Sequence, residues 1–130
     1  MLVTFENLHT GELYSRPALA DLWGYSGYQA LARGVVTPRD SNIIILFVTE
    51  EKQALQEQYA DRLVGHILQW EGPTDHFAED RMANAQGNGD EIHVFHRQHH
   101  HTDFEYLGRA TVLTVEHRID RPSSFQFRLE

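Results

Sequence analysis

The sequence predicts a single α+β domain in which several strands share one sheet and short helices cover its ends. The run at residues 43–48 is apolar on both faces, which is typical of a central strand. Residues 124–130 alternate apolar and polar side chains, as a strand with one buried and one wet face does. The helical patterns between the strands are short, and no repeat or linker divides the 130 residues.

The N-terminal elements follow from capping residues and apolar spacing. Residues 2–5 form either a short strand or a docked terminus, before a turn at 10–11. Ser15 is a candidate N-cap, Pro17 falls in the first helical turn, and apolar residues at 19, 22 and 23 share one face. This helix ends at Gly24. A second short helix over 28–32 leads into a strand at 35–36, and a turn at 38–42 precedes the central strand.

The C-terminal elements alternate in the same way. Thr49 begins a helix predicted to run through residue 59, with acidic residues in its first turn. One strand is expected over 64–71, ending at Gly72-Pro73, followed by a helix over 76–85. Residues 86–90 are typical of a hairpin-like turn. Three strands follow at 91–97, 106–117 and 124–130.

Composition restricts the function classes. The net charge of −8 opposes free-standing nucleic-acid binding, which phosphate contacts dominate. The charge is uneven, however: residues 13–39 carry three arginines and one acid, whereas residues 50–80 carry eight acids and two bases. The absence of cysteine suits the cytoplasm. No apolar run approaches the roughly 20 residues of a membrane span, so we expect neither a membrane partner nor a signal peptide.

Residues 23–37 form the most unusual stretch, with three aromatic residues, three glycines and an arginine. Glycine lets the backbone approach a ligand, aromatic rings offer flat faces, and Arg33 offers a planar fork of donors. A pocket for a flat polar ring would use all three. The alternative is that Trp23 and Tyr28 are core residues of two short helices and Gly24 is a C-cap.

Several segments carry a resemblance to a known family. In the same order, they resemble a bacterial domain of unknown function that is found at the ends of DEAD/DEAH-type helicases and beside HNH-type nucleases of modification-dependent restriction systems. The resemblance covers roughly residues 14–129. It rests on Tyr14-Ser15-Arg16, residues 19–25 and 27–38, Trp70-Glu71-Gly72, and residues 80–85, 91–97 and 104–109.

More distantly, that family resembles the PUA-related group, which includes EVE, ASCH, YTH and SRA domains. Residues 28–33 and the following strand at 43–48 are similar in order to the arginine-bearing helix and next strand of EVE domains. This resemblance implies a small PUA-like mixed β-barrel with short helices and a pocket at one mouth. Several members of the group read modified bases, often after turning the base out of the stack.

The resemblance implies a non-catalytic reader domain spanning residues 1–130, as one module of a larger protein. Its ligand would be a flipped modified cytosine in double-stranded DNA, such as 5-carboxyl- or 5-hydroxymethylcytosine. Catalysis would belong to a fused nuclease or helicase domain. We expect the isolated domain to be monomeric and cytoplasmic, with no cofactor.

A pocket for a flipped base must replace stacking and pairing. Tyr25, Tyr28 and Trp70 are candidates for stacking, which contributes about 1–3 kcal/mol per base. Gln29 or Asn84 could meet the Watson–Crick edge, and an arginine could bind an acidic substituent bidentately. The predicted site residues are Trp23, Tyr25, Tyr28, Gln29, Arg33, Arg39, Trp70, Arg81 and Asn84.

Each of these residues also has a structural interpretation. Trp70 could close a strand, Asn84 could cap a helix end, and Arg81 could pair with Asp80 or Glu79. The histidines at 96 and 99–101 have metal-ligand chemistry. Because consecutive histidines on a loop cannot all face one ion, a solvated hairpin or a phosphate-facing edge is favoured, and we expect no metal site.

Three rival functions remain. Asp40 with Glu50, Glu51 and Lys52 imitates the carboxylate and lysine arrangement of a Mg²⁺-dependent nuclease. Residues 17–33 could form a helix-turn-helix with a β wing, although the second helix would be very short for groove reading. A protein-interaction module that docks a helicase is the third.

Overall fold

The computed structural model describes residues 3–51 and 61–130 of the chain. In these ranges, eight strands form one mixed sheet in the order β2-β3-β6-β7-β8-β5-β4, and β1 pairs with β7. The strands are β1 Leu13–Tyr14, β2 Val35–Val36, β3 Ile43–Thr49, β4 Arg62–Val64, β5 Ile67–Glu71, β6 Glu91–Arg97, β7 Phe104–Glu116 and β8 Ser124–Leu129. The helices are α1 Arg16–Leu22, α2 Glu79–Ala83 and α3 Ala85–Asn88, with a 3-10 helix at Tyr28–Leu31. The predicted α+β class is confirmed.

Strand β3 has the central position that its apolar pattern predicts. It pairs antiparallel with β2 and parallel with β6 over its whole length, from Ile43↔Glu91 to Thr49↔Arg97. All seven of its residues are buried. Because successive side chains point to opposite faces, β3 contributes to two cores.

The two cores lie on the two faces of β3. The first core contains Ile44 and Leu46 of β3 together with aromatic residues of β5 and β8, including Trp70, Phe125 and Phe127. The second core contains Ile45 and Phe47 packed with α1, the 3-10 helix and β7, including Leu19, Trp23, Leu31 and Phe104. α1 and the 3-10 helix therefore cover the second core, whereas α2 and α3 add Met82 and Ala85 to the first core.

The sheet curls until its two ends meet. Val35 of β2 belongs to the first core together with Leu68 of β5, although β2 and β4-β5 stand at opposite ends of the strand order. A carboxylate oxygen of Glu50, just after β3, accepts a hydrogen bond of 2.8 Å from the amide of Leu63 in β4. Bulges in the β6-β7 and β7-β8 pairings add the bending that closure requires. The result is a small, barrel-like sheet.

The predicted first helix is confirmed, with small changes nearby. Ser15 caps α1, since its hydroxyl accepts a hydrogen bond of 3.1 Å from the amide of Ala18. Gly24 follows the helix with a φ of +79°, a conformation that favours glycine. The second predicted helix is a 3-10 helix, and the short β1 was not predicted.

Two predicted elements were wrong in the middle of the chain. The single strand over 64–71 is instead a hairpin of β4 and β5, which turns at Gly65 with a φ of +60°. The helix predicted over 76–85 begins only at Glu79, because His76 and Ala78 have left-handed φ values of 59° and 62°. The hairpin-like turn predicted over 86–90 was also wrong, because the segment contains most of α3, which ends at Asn88 with Gly89 as its C-cap.

The N-terminal segment docks rather than forming a strand. Within residues 3–5 no strand is present, and the ring of Phe5 stacks on buried His93 with centroids 3.6 Å apart. Most of the helix predicted after Thr49 falls outside the described residues. No helix in the described ranges is both long enough and apolar enough to cross a membrane.

Candidate functional site

A cavity of about 290 Å³ opens where the two ends of the sheet meet, and we name it the edge cavity. Arg33, just before β2, and Trp70 in β5 both line it. These two predicted site residues are 37 positions apart in the sequence, and only the curvature of the sheet brings them together. The lining also includes Gly34, Phe47, Asp61, Glu71 and Gly72.

Trp70 connects the edge cavity with the first core. Its indole is only 4% exposed and packs on Phe125 and Phe127, with ring centroids 5.5 and 5.9 Å away. The backbone of Gly72 passes beside the indole, so that a Cβ there would lie 3.6 Å from Trp70 Cζ3. Trp70 is therefore a core residue that also lines the cavity.

Arg33 stands on the other side of the edge cavity and is half exposed. Its Cζ lies 4.6 Å from the centroid of the Phe77 ring, and its Nη2 donates to Asp75 Oδ2 at 3.0 Å. Both partners belong to the loop between β5 and α2. A backbone hydrogen bond from Phe77, and then the hydrogen bond from Arg33, hold the pKa of Asp75 below its usual value. The loop thereby keeps a charged partner beside Arg33.

Arg33 also lines a neighbouring cavity of about 280 Å³, together with Tyr25, Arg39 and Phe77. Arg39 is exposed and Tyr25 is partly buried. Burial raises the pKa of the Tyr25 phenol, which therefore stays protonated and able to donate a hydrogen bond at neutral pH. The structure thus gathers Tyr25, Arg33 and Arg39 at adjoining cavities.

Tyr28 lies elsewhere. It is 48% exposed and lines a third cavity of about 280 Å³, which we name the arginine cavity, together with Arg16 and Arg97. Gln29, next to it, is exposed and folds back toward Gly27. The structure therefore does not bring Tyr28 and Trp70 to one cavity, and a base held between these two rings does not fit the fold.

Comparison with known protein families gives no match, and neither does comparison with curated proteins. Among solved structures, the chain is similar to the SUVH5 SRA domain in a crystal structure with fully methylated CG DNA. The alignment has a TM-score of 0.61 and 14% sequence identity, and it covers 100% of this chain and 94% of that chain. The chain has an SRA-like, PUA-related fold.

The SRA-like fold confirms the predicted PUA-like architecture. Three of the nine predicted site residues, Trp23, Arg81 and Asn84, bind structural partners away from the edge cavity. Trp23 is 1% exposed and donates from Nε1 to Thr4 O at 2.9 Å, so it anchors the N-terminal segment. Asn84 donates to Asp80 O at 2.8 Å and ends α2. Neither residue lines the edge cavity, and we leave both out of the proposed site.

Arg81 ties distant parts of the SRA-like fold together. Its Nε and Nη2 donate to the two carboxylate oxygens of Asp90, both at 3.0 Å, and Nη2 also reaches Ser41 O at 3.0 Å. The partner is therefore Asp90 rather than the Asp80 or Glu79 expected from the sequence. Arg81 holds the pKa of Asp90 below its usual value. Arg81 is paired with a carboxylate and lines neither the edge cavity nor its neighbour at Tyr25, so a role in ligand reading is not supported.

Sequence reasoning missed a hairpin tip that borders the edge cavity. The turn between β7 and β8 places Arg118 Nη1 3.8 Å from Glu71 Oε1, and Ser123 O accepts a hydrogen bond of 2.9 Å from Gly72 N. At its tip, Ile119 is 97% exposed. The signal was present in the sequence as one isoleucine within the polar run Arg118-Ile119-Asp120-Arg121.

The residues of the rival nuclease hypothesis are dispersed. Asp40 precedes β3 and Glu50 follows it, so a seven-residue strand separates them by about 20 Å. Glu50 lies 3.3 Å from His96, Glu51 pairs with His99, and Lys52 falls outside the described residues. Within residues 3–51 and 61–130, no group of three histidines or carboxylates is placed to hold a metal ion.

A larger cavity of about 440 Å³ lies on another side of the sheet, beside the β4-β5 turn. Its lining includes Glu105, Glu130 and His66 but no arginine or lysine. This cavity therefore lacks a group that could bind phosphate by charge. Because the edge cavity contains Arg33 and its neighbour contains Arg33 and Arg39, these two are the better candidates for a polyanionic ligand.

Proposed function

We propose that this chain is a DNA-binding reader domain that accepts a modified cytosine, flipped out of duplex DNA, in the edge cavity. The observation that carries the proposal is the meeting of Arg33 and Trp70 at that cavity. An aromatic residue and a fork of donors supply the stacking and hydrogen bonding that a flipped base loses. A volume of about 290 Å³ is at the lower end of ligand cavities and suits one base better than a larger ligand.

The polar lining favours cytosine among the bases. Asp61 and Glu71 bring two carboxylates to the edge cavity, and a carboxylate is the usual acceptor for the cytosine N4 amino group. Arg33 can donate to the carbonyl edge of the same base. The similarity to an SRA domain crystallised with fully methylated CG DNA supports the same ligand class.

The charge of the lining bears on the modification. An anionic 5-carboxyl group would compete with Asp75 for Arg33 and would face Glu71 and Asp61. A methyl or hydroxymethyl group meets no such repulsion. We therefore favour an uncharged 5-substituent over a 5-carboxyl group, whereas the family resemblance does not distinguish the two.

The exposed hairpin tip supports base flipping. Ile119 is almost fully exposed, and the turn that carries it is bonded to the rim of the edge cavity through Gly72 and Glu71. Apolar side chains of this kind insert between base steps and unstack them. Ile119 would occupy the space that a base leaves when it enters the cavity.

Catalysis would lie in a fused nuclease or helicase of a bacterial restriction system, as the family resemblance implies, with this domain acting as a monomeric module in the cytoplasm. The helix-turn-helix alternative is disfavoured because the second helix is a 3-10 helix of four residues. The dispersed carboxylates disfavour a nuclease. Incubation of the isolated chain with plasmid and Mg²⁺ or Mn²⁺ should give no cleavage, and nicking lost in Glu50→Ala would reverse that assignment.

A binding panel tests the proposal. Duplexes that differ only at one CG site should carry cytosine or its 5-methyl, 5-hydroxymethyl, 5-carboxyl or glucosylated form. We expect a preference for one uncharged modification, which Arg33→Ala removes and the exposed control Arg128→Ala retains. Equal affinity for every duplex would favour the protein-interaction module instead.

A further inference from the structure

Two arginines from different elements meet at the arginine cavity. Arg16 begins α1, and Arg97 ends β6. Their guanidinium carbons lie 4.9 and 4.2 Å from the centroid of the same ring, that of Phe104. Tyr28, Ser15 and Thr102 complete a cavity of about 280 Å³ with polar hydroxyl groups.

Neither arginine is neutralised by a carboxylate within the part of the chain that the structure describes. Arg16 Nε donates to Leu31 O at 2.6 Å, Arg97 Nε to Thr49 Oγ1 at 2.8 Å, and Arg97 Nη1 to Thr102 O at 3.0 Å. All three acceptors are uncharged. Asp103 lines the same cavity but forms no ion pair with either guanidinium. These bonds fix both side chains and leave further guanidinium donors for a ligand.

The proximity of the two charges is unfavourable in the free protein. Burial, together with the charge of Arg97, lowers the pKa of Arg16 to about 10, and burial also lowers the pKa of Arg97. The chain has a net charge of −8, yet residues 3–51 and 61–130 supply no carboxylate that pairs with either arginine, which indicates a site that an anion completes.

Phe47 of β3 connects the arginine cavity with the edge cavity. Arg16 Cζ lies 4.7 Å from the ring centroid of Phe47, and Phe47 is also part of the edge-cavity lining. We propose that the arginine cavity binds a phosphate group through Arg16 and Arg97 and, if the edge cavity holds a flipped base as proposed above, that this group is a backbone phosphate near the flipped nucleotide. Bidentate arginine donors match phosphate geometry.

A purely structural role is the alternative. In that case Arg16 only ties α1 to the 3-10 helix, and Arg97 only ties β6 to the loop at Thr102. Removal of either residue would then affect stability but not anion binding. The two roles are separable because the Nε–H group of each arginine is hydrogen-bonded inside the protein and can be followed by NMR.

The first experiment uses inorganic phosphate as the probe. Phosphate is titrated into the protein at constant ionic strength, with chloride as the balancing anion. We expect saturable shifts of the Arg16 and Arg97 Nε–H signals, no response to chloride, and no shift of Arg128, which is exposed on β8. Signals that do not move, or that move equally for Arg128, would overturn the site.

The second experiment distinguishes DNA phosphate from a free phosphate compound. For an unmodified duplex at about 50 mM salt, Arg97→Gln should weaken binding about tenfold and lower the salt slope by about one, whereas Arg128→Gln should do neither. Arg97→Lys should restore part of the affinity, since it keeps the charge. Thermal melts check that each variant is folded.

The outcomes separate this site from the proposed function. If the domain shows no preference for modified cytosine but Arg97→Gln still weakens DNA binding, the phosphate site stands and the proposed reader function is wrong. Phosphate-dependent NMR shifts with unchanged DNA affinity would show that the cavity binds a free phosphate compound and would overturn its assignment to DNA. A last set of duplexes carries one uncharged methylphosphonate linkage, at a different position beside the target base in each duplex. At one of these positions the linkage should lower the DNA affinity of the wild type but not that of Arg97→Gln.

Discussion

Arg33 lies on the ring of Phe77, with its guanidinium carbon 4.6 Å from the ring centroid, and pairs with Asp75 from the same loop at 3.0 Å. Arg33 precedes β2 at one end of the sheet, whereas the loop follows β5 at the other. The side chains of the pair are 52% and 58% exposed, so their attraction contributes little to stability. Its effect is to hold one guanidinium at the edge cavity.

Arg33→Ala should therefore leave folding intact and weaken binding. We expect an unchanged melting temperature and a loss of about 1–3 kcal/mol for the preferred modified duplex, the range for a charged hydrogen bond. Calorimetry with wild type, Arg33→Ala and the exposed control Arg128→Ala measures both quantities. An Arg33→Ala protein that keeps full affinity and preference would remove Arg33 from the site.

Trp70→Ala should act first on stability. The indole packs against both Phe125 and Phe127 and is nearly buried, so its removal should cost about 3–5 kcal/mol of unfolding free energy. Because the Trp70→Ala protein would be partly unfolded, a loss of DNA affinity in it would not report on the site. Trp70→Phe is therefore the informative variant. It should stay folded and lose about 1 kcal/mol of affinity for the modified duplex. A stable Trp70→Ala protein would contradict the core role.

The sequence predicted the fold well wherever the local pattern was decisive. Apolar residues on both faces predicted that β3 is a central strand, and Ser15 and Gly24 marked the two ends of α1. The β4-β5 hairpin was missed because Gly65 alone marks its turn, and the helix after residue 76 starts late because two non-glycine residues adopt positive φ there. Such backbone conformations depend on tertiary contacts rather than on local propensity.

The candidate site was predictable only in part. Arg33 and Trp70 were chosen for their chemistry, and the fold brings them to one cavity. The partners of Arg81 and Trp23 could not be foreseen, because Asp90 and Thr4 become neighbours only in the folded chain. Residue type alone does not distinguish an arginine that reads a ligand from one that joins two loops.

Arg81→Gln tests the structural assignment of that residue. Loss of its bidentate bond to Asp90 and its bond to Ser41 O should lower the unfolding free energy by about 1.5–3 kcal/mol. The preference among modified duplexes should not change, since Arg81 lines neither the edge cavity nor its neighbour at Tyr25. Urea titration and the duplex panel provide the two measurements. Unchanged stability with altered preference would return Arg81 to the site.

His93 should make stability depend on pH. The buried imidazole stacks on Phe5, and its Nδ1 lies 2.8 Å from the hydroxyl of Tyr106. Burial lowers the pKa of His93, although the contact with Glu91 acts in the opposite direction. A folded pKa below the ordinary value of about 6.5 means that the unfolded chain takes up the proton first. Stability is therefore highest above pH about 6.5 and falls as the pH drops toward the folded pKa. Melting temperatures from pH 8 to 5 should fall less steeply in His93→Gln, and parallel curves would exclude His93 as the cause.

Ile119 gives the most direct test of base flipping. Its side chain is 97% exposed, so Ile119→Ser should leave the melting temperature unchanged. If the isoleucine fills the space of a departed base, the variant should lose affinity for a fully paired modified duplex by about 1–2 kcal/mol, a fraction of the cost of unstacking a base step. The loss should shrink when the target cytosine is mismatched or single-stranded, because that base is already free to leave.

Leu13→Ser, a matched change at another exposed apolar residue, should affect neither substrate. Equal losses on paired and single-stranded targets would show that Ile119 contacts DNA without acting as a wedge.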